Sequence, residues 1–155
     1  MEVSEKQRIF AVSKVVNYMI TKLEYTTIAG RAPEIIEDVM NLTQVPADPE
    51  TQFTLRLVVE ELVVNIVNYA YGDGGDGPLR IELDSDHKSL TLTIADNGTP
   101  FNPLEQATPD TTLSAEERSI GGLGIFLVRE MMDTVDYKRV DGANVITATK
   151  NIQPS

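Results

Sequence analysis

Apart from Glu60, which we expect at the solvated edge of the helix, three polar side chains interrupt an apolar segment at residues 57–70. Glu61, Asn65 and Asn68 stand at positions i, i+4 and i+7, which places them on one face of a helix, within roughly 60° of one another. Because burying a carboxylate and two amides without partners costs several kcal/mol, this face must meet a polar partner. A hydrated Mg²⁺ carrying phosphates is one such partner, since Mg²⁺ takes few protein oxygens and keeps waters. An internal hydrogen-bond network with a neighbouring loop is the alternative.

A second cluster follows the alternating segment at residues 90–94, which predicts a strand. Asp96 stands at the end of this strand and Gly98 two residues later. The carboxylate would project into a pocket and accept a hydrogen bond from an amino group such as that of adenine. Gly98 would let the backbone approach a ligand closely. The same Asp-Asn-Gly sequence is also common in ordinary turns.

A third cluster is the glycine-rich turn at residues 121–124, which opens directly into a short apolar helix predicted from Gly124 to Met132. Exposed amides and the helix dipole at such a start suit phosphates. The turn lacks the Lys-Ser/Thr of a P-loop, and no strand runs directly into it as a dinucleotide-binding turn would require.

The elements that must position these clusters follow from hydrophobic spacing. A helix is predicted from Ser4 to about Leu23, and a short strand at residues 24–28. A second helix is predicted to begin at Pro33, and a third runs from Pro49 to Tyr69 behind an Asp48 cap. Further strands are predicted at residues 79–83, 90–94, 135–140 and 144–149. The order predicts an α+β fold, a two-layer sandwich with helices on one face of a mixed, largely antiparallel sheet.

Size and composition favour one globular domain. The chain has 155 residues, of which 41% are hydrophobic and 24% charged, and it contains no cysteine. A disulfide framework and a thiolate metal site are therefore excluded. The formal net charge of −11 gives a surface that repels nucleic acid and anionic membranes. No stretch resembles a signal peptide or a membrane span, so we expect a cytoplasmic protein without nucleic-acid or membrane partners.

The three clusters occur together and in an order that resembles the GHKL ATPase superfamily, which has a histidine-kinase-like ATPase domain. Within it, the chain is similar to the anti-sigma-factor serine-kinase branch, the RsbW and SpoIIAB type. The stretches that carry the resemblance are residues 59–71, 96–103, 117–129 and 142–150, and the similarity extends over residues 23–150. A domain at residues 24–155 behind an N-terminal helical extension at residues 1–23 is therefore predicted.

The resemblance implies a kinase that uses ATP and Mg²⁺. Its substrate would be a seryl hydroxyl on an anti-sigma-factor antagonist, a STAS-type protein, and it would sequester a sigma factor. Glu61 would be the general base, Asn65 would coordinate Mg²⁺, and Asp96 would bind the adenine amino group. Residues 102–120 would form a lid over ATP. The other nucleotide-binding residues that the resemblance implies are Asn68, Gly98, Pro100, Arg118, Gly121, Gly122, Leu123, Gly124, Ile125 and Thr147.

The chain departs from this branch in two places. Tyr69 stands where members often carry histidine, and the predicted first helix extends beyond the usual start of the domain. This helix would either serve as an element of a homodimer or belong to a different domain arrangement. Two other functions stay open. One is a regulatory binding module that ATP only switches; the other is the catalytic domain of a histidine kinase. The lone His87 lies in a polar turn, unlike a helical phosphoacceptor.

Overall fold

The computed structural model of the chain describes residues 8–15, 18–72, 74–86, 88–105 and 122–152. Within them, a short 3₁₀ turn at Pro103–Glu105 accompanies three helices and six strands. The helices are α1 (Ala32–Met40), α2 (Pro49–Tyr69) and α3 (Gly122–Met131). The strands are β1 (Arg8–Val15), β2 (Tyr18–Tyr25), β3 (Leu79–Asp86), β4 (Ser89–Asp96), β5 (Thr134–Val140) and β6 (Ala143–Asn151).

The strands form one sheet in the order β1-β2-β3-β4-β6-β5. Every pairing between these strands is antiparallel. The helices pack on one face of the sheet and share a single hydrophobic core with it. The predicted α+β class and two-layer architecture are therefore confirmed, and the described strands contain no parallel pair.

The sheet has one buried and one solvated face because its residues alternate in side-chain direction. Leu23, Ile81, Ile94 and Ile146 lie beside one another on four adjacent strands and are almost completely buried against the helices. Polar residues such as Thr93 stand between them in sequence and point to the other side. The alternation of side chains along each strand thus determines which strand residues can reach a site between the sheet and the helices.

Helix α2 is the longest helix and begins where the sequence predicts. Asp48 caps it, because its carboxylate accepts hydrogen bonds from the Thr51 amide at 2.9 Å and the Thr51 hydroxyl at 2.7 Å. Pro49 occupies the first turn, where its missing N–H costs nothing. The helix has 21 residues, a length of roughly 31 Å.

Neither α2 nor any other helix in the described part of the chain is long and apolar enough to cross a membrane.

The helix predicted from Ser4 to Leu23 is wrong. Residues 8–15 and 18–25 form the strands β1 and β2, which pair with each other from Arg8 opposite Glu24 to Val15 opposite Tyr18. In β2, Thr21, Leu23 and Tyr25 are buried, whereas Lys22 and Glu24 are exposed. Alternate residues of β2 are buried because the segment is a strand. Its pairing with β3 along its whole length holds it in that form, and this long-range contact outweighs the local helical spacing. The domain boundary at residue 24 stays a prediction, although β2 runs across it.

Candidate functional site

A cavity of about 340 Å³ opens between α2 and the ends of β4 and β6. That volume is in the usual range for a small-molecule site. Four groups of residues line it: α2 and its C-cap, the end of β4, the segment that follows β4, and the start of β6. The lining residues among those described are Leu62, Asn65, Ile66, Tyr69, Ala70, Asp96, Phe101, Pro103, Asn144 and Ile146.

Asp96 supplies the one carboxylate among these lining residues. Its side chain is buried, with only 5% of the residue exposed. Oδ1 accepts hydrogen bonds from the Gly98 amide at 2.8 Å and from Asn144 Nδ2 at 3.0 Å. The described residues give Oδ2 no hydrogen bond. Because a buried, unpaired carboxylate oxygen is costly, the cavity is suited to a ligand or water that donates a hydrogen bond to Asp96.

The segment after β4, residues 97–101, is called here the Asp96 loop, and it packs directly on the end of α2. The Thr99 amide donates to the Ala70 carbonyl at 3.0 Å, and Arg139 Nη1 donates to the Gly98 carbonyl at 2.9 Å. A methyl group at Gly98 would overlap the Ala70 carbonyl group. The glycine is therefore required for close packing of this loop on α2.

Gly98→Ala should destabilise the protein and loosen the cavity, because either the loop or the end of α2 must move. Strain of this kind costs about 1–3 kcal/mol, which corresponds to a fall in Tm of roughly 2–12 °C for a chain of this size. Thermal unfolding and nucleotide titration would measure both effects.

Gly30→Ala is the matched control for that substitution. Gly30 has a φ of 70° and open space around its Cα, so alanine there costs stability through backbone strain alone. It does not line the cavity. Nucleotide affinity should fall in Gly98→Ala and stay unchanged in Gly30→Ala; equal affinities in the two variants would contradict a role for the loop.

Tyr71 holds the other side of the Asp96 loop. Its hydroxyl donates to the Pro78 carbonyl and accepts from the Asn97 amide at 2.9 Å. Arg80 Nη1 donates to Asn97 Oδ1 at 2.8 Å. Burial raises the pKa of Tyr71, so the phenol stays protonated and keeps its donor role. The loop that carries Gly98 is thus fixed by several elements at once.

Glu61 lies near the middle of α2, nine residues before Ala70, where the helix contacts the Asp96 loop. Its carboxylate contacts Gly124 so closely that a methyl group at Gly124 would overlap Oε2. Gly124 is in the first turn of α3, where backbone amides are available to anions. Burial raises the pKa of Glu61, and the neighbouring charge of Glu60 raises it further. A half-buried carboxylate with a raised pKa is a stronger proton acceptor than an ordinary glutamate.

Asn65 lies one helical turn after Glu61, on the way to the Asp96 loop, and it lines the cavity. The described residues contain no group of three or more His, Cys, Asp or Glu side chains that could hold a metal ion. A single amide oxygen would instead suit Mg²⁺, which takes few protein ligands when phosphates supply the others.

The other predicted site residues are only partly brought together. Gly122 and Leu123 begin α3, and the side chain of Ile125 packs in the hydrophobic core. Asn68 and Pro100 are exposed and do not line the cavity. Thr147 lies on the opposite face of the sheet, paired with Thr93. Arg118, Gly121 and the predicted lid beyond Glu105 lie outside the described residues.

Asn144 lines the cavity and donates a hydrogen bond to Asp96, and the sequence analysis did not single it out. It stands directly opposite Asp96 in the β4–β6 register and is as deeply buried as Asp96. A polar residue at the start of an apolar strand, opposite a candidate site residue, could have indicated it. Thr147, the β6 residue that the resemblance implies, is not among the described residues that line the cavity, whereas Ile146 beside it is.

Comparison with known families identifies the class of this fold and site. A family model described as the histidine kinase-like ATPase domain matches residues 27–150. The chain therefore belongs to this family, and the resemblance drawn from the sequence is confirmed. The match includes α2, the Asp96 loop and α3, the elements that form the site.

Individual relatives are named kinases and anti-sigma factors. The chain is 33% identical to the serine/threonine-protein kinase BtrW of Bordetella bronchiseptica over 103 residues, which cover 66% of this chain and 72% of that protein. It is 32% identical to the serine-protein kinase RsbW of Listeria monocytogenes over 96 residues, covering 59% of this chain and 61% of that protein. It is 28% identical to the anti-sigma F factor of Pasteuria penetrans over 103 residues, covering 65% and 69%.

Proposed function

We propose that this protein is a Mg-ATP-dependent serine-protein kinase that phosphorylates an anti-sigma-factor antagonist and also acts as an anti-sigma factor. One observation carries the proposal: α2 contacts both the loop that follows Asp96 and the first turn of α3, although Glu61 is not among the described residues that line the cavity. The helix contacts the Asp96 loop at Ala70 and α3 at Glu61, nine residues earlier. That separation is a rise of about 13 Å, comparable with the length of an extended nucleoside triphosphate.

The base of the nucleotide would lie at the Asp96 end. Asp96 Oδ2 would accept from the adenine amino group, and the apolar side chains of Leu62, Ile66 and Ile146, which line the cavity, would pack against the ring. The phosphates would then extend toward the first turn of α3. The amides and dipole at that helix start favour anions, which offsets the overall negative charge of the chain.

Mg²⁺ would be held by the Asn65 amide oxygen together with phosphate oxygens. The position of Asn65, one turn from Glu61 on the cavity wall, supports this assignment. When bound, the metal would neutralise charge that develops on the phosphates during transfer.

The reaction would be transfer of the γ-phosphoryl group to a serine. Glu61 would take the proton of the attacking seryl hydroxyl while the serine oxygen bonds to the γ-phosphorus. The bond from that phosphorus to the bridging oxygen breaks, and ADP leaves with the electron pair. Phosphoserine, ADP and protonated Glu61 result, and the raised pKa of Glu61 suits the proton transfer.

The names of the relatives support the choice of serine as acceptor. BtrW and RsbW are named serine or serine/threonine kinases, and the Pasteuria protein is named an anti-sigma factor. A STAS-type antagonist as substrate and a sigma factor as second partner are proposed on that basis. The cytoplasmic location and the homodimer stay predictions.

A transfer assay with the wild-type chain tests the proposal. The protein would be incubated with Mg²⁺, γ-labelled ATP and STAS-type antagonists, and the label should appear as acid-stable phosphoserine on an antagonist. ATP-dependent binding of an antagonist without transfer would contradict the kinase and favour the ATP-switched binding module. Acid-labile phosphohistidine would contradict it in favour of a histidine kinase.

A further inference from the structure

We propose that Asn144 is a positioning residue that orients the Asp96 carboxylate for adenine, and that Tyr137 fixes the orientation of Asn144. This inference rests on the nucleotide binding proposed above and identifies two residues that would make Asp96 selective for the base. Both residues lie outside the set predicted from the sequence.

The side-chain amide of Asn144 uses all of its hydrogen-bonding capacity. Nδ2 donates to Asp96 Oδ1 at 3.0 Å and to the Thr99 carbonyl at 2.9 Å. Oδ1 accepts from the Phe101 amide at 3.1 Å and from the Tyr137 hydroxyl at 2.7 Å. Asn144 is only 5% exposed, so breaking any of these bonds without replacement is costly.

The direction of the amide is determined by its partners. A backbone N–H can only donate, so the Asn144 atom that faces Phe101 must be the oxygen. The Tyr137 hydroxyl donates to the same oxygen and reinforces this choice. The NH₂ group is thereby forced to face Asp96 and the Thr99 carbonyl, both of which accept.

This arrangement determines what Asp96 offers to the cavity. Two donors, the Gly98 amide and Asn144 Nδ2, occupy Oδ1. Oδ2 is left as an acceptor with no partner among the described residues, so it favours a base with a donating exocyclic amino group. Adenine has that group, whereas hypoxanthine carries a carbonyl oxygen at the same position. Without the hydrogen bond from Asn144, the Asp96 carboxylate would be free to rotate and would discriminate less between the two bases.

The test compares Mg-ATP with Mg-ITP, because the two nucleotides differ at this position of the base. Calorimetric titration of the wild type should show ATP preferred by about 10- to 100-fold, the effect of one hydrogen bond to a charged group. Tyr137→Phe removes only the hydroxyl and should lower this preference about three- to tenfold. Asn144→Leu should lower the preference for ATP further. If Asn144→Leu does not fold, Tyr137→Phe alone still tests the inference.

Thr93→Val is the matched control, since Thr93 lies on the solvated face of β4, the strand beside β6. The preference of Thr93→Val for ATP over ITP should equal that of the wild type. If Tyr137→Phe and Asn144→Leu weaken ATP and ITP equally, the two residues only support the fold and the inference is overturned. An unchanged preference in both variants overturns it as well. If the wild type binds neither nucleotide, the proposed function fails and this inference fails with it.

Discussion

Asp96→Asn is expected to weaken Mg-ATP binding about 10- to 100-fold, the value of one hydrogen bond to a charged group. The substitution changes almost no volume, and an asparagine oxygen in place of Oδ1 can still accept from the Gly98 amide and from Asn144. The other position becomes an NH₂ group. That NH₂ group would face the adenine amino group, and two donors cannot form a hydrogen bond with each other. Titration calorimetry measures the loss directly.

Thermal unfolding is the control for Asp96→Asn. The two hydrogen bonds to Oδ1 are kept, so Tm should stay close to that of the wild type, and the loss of affinity cannot then be attributed to unfolding. A folded Asp96→Asn variant that binds Mg-ATP as tightly as the wild type would show that the adenine base does not contact Asp96.

Glu61→Gln is expected to lower phosphoryl transfer by about 10²- to 10⁴-fold, the usual contribution of a general base, with little change in ATP affinity. Glutamine keeps the shape that packs against Gly124 but cannot take a proton. Because burial raises the pKa of Glu61, the wild-type rate should also fall with decreasing pH at a higher pH than an ordinary glutamate would give. Initial rates across a pH series would measure both effects.

The stability of Glu61→Gln gives its control. Burial opposes ionisation of Glu61, so the folded state favours the protonated form, and that contribution to stability is lost as the pH rises through the raised pKa. At neutral pH the neutral glutamine should therefore leave Tm unchanged or slightly higher, and the difference should disappear in acid. Transfer at the wild-type rate by Glu61→Gln would exclude Glu61 as the base and favour a module that only binds ATP.

The sequence predicted best the parts of the fold that local chemistry determines. Asp48 and Pro49 begin α2 as expected, because a capping carboxylate and a proline without an N–H act within one turn. Strands β3, β4, β5 and β6 contain the predicted segments, since each pairs in an antiparallel hairpin or beside one. Asp96 was expected to project into a pocket from the end of its strand, and it does.

The helix predicted from Ser4 to Leu23 failed, and the position of some predicted site residues could not be foreseen, because both depend on contacts distant in sequence. β1 and β2 have apolar residues that also fit helical spacing, and only the pairing of β2 with β3 decides between the two structures. Asn68 shares the helical spacing of Glu61 and Asn65, yet it lies in the last turn of α2 with its side chain exposed. The choice between Thr147 and Asn144 requires the β4–β6 register, which no local pattern contains.

A crystal structure with Mg²⁺ and a non-hydrolysable ATP analogue tests most directly whether one nucleotide spans the site along α2. The adenine amino group should lie within hydrogen-bonding distance of Asp96 Oδ2. The terminal phosphate should lie beside Gly124 and Glu61, with Mg²⁺ on Asn65. An analogue bound elsewhere, or bound with its base away from Asp96, would contradict the proposed site.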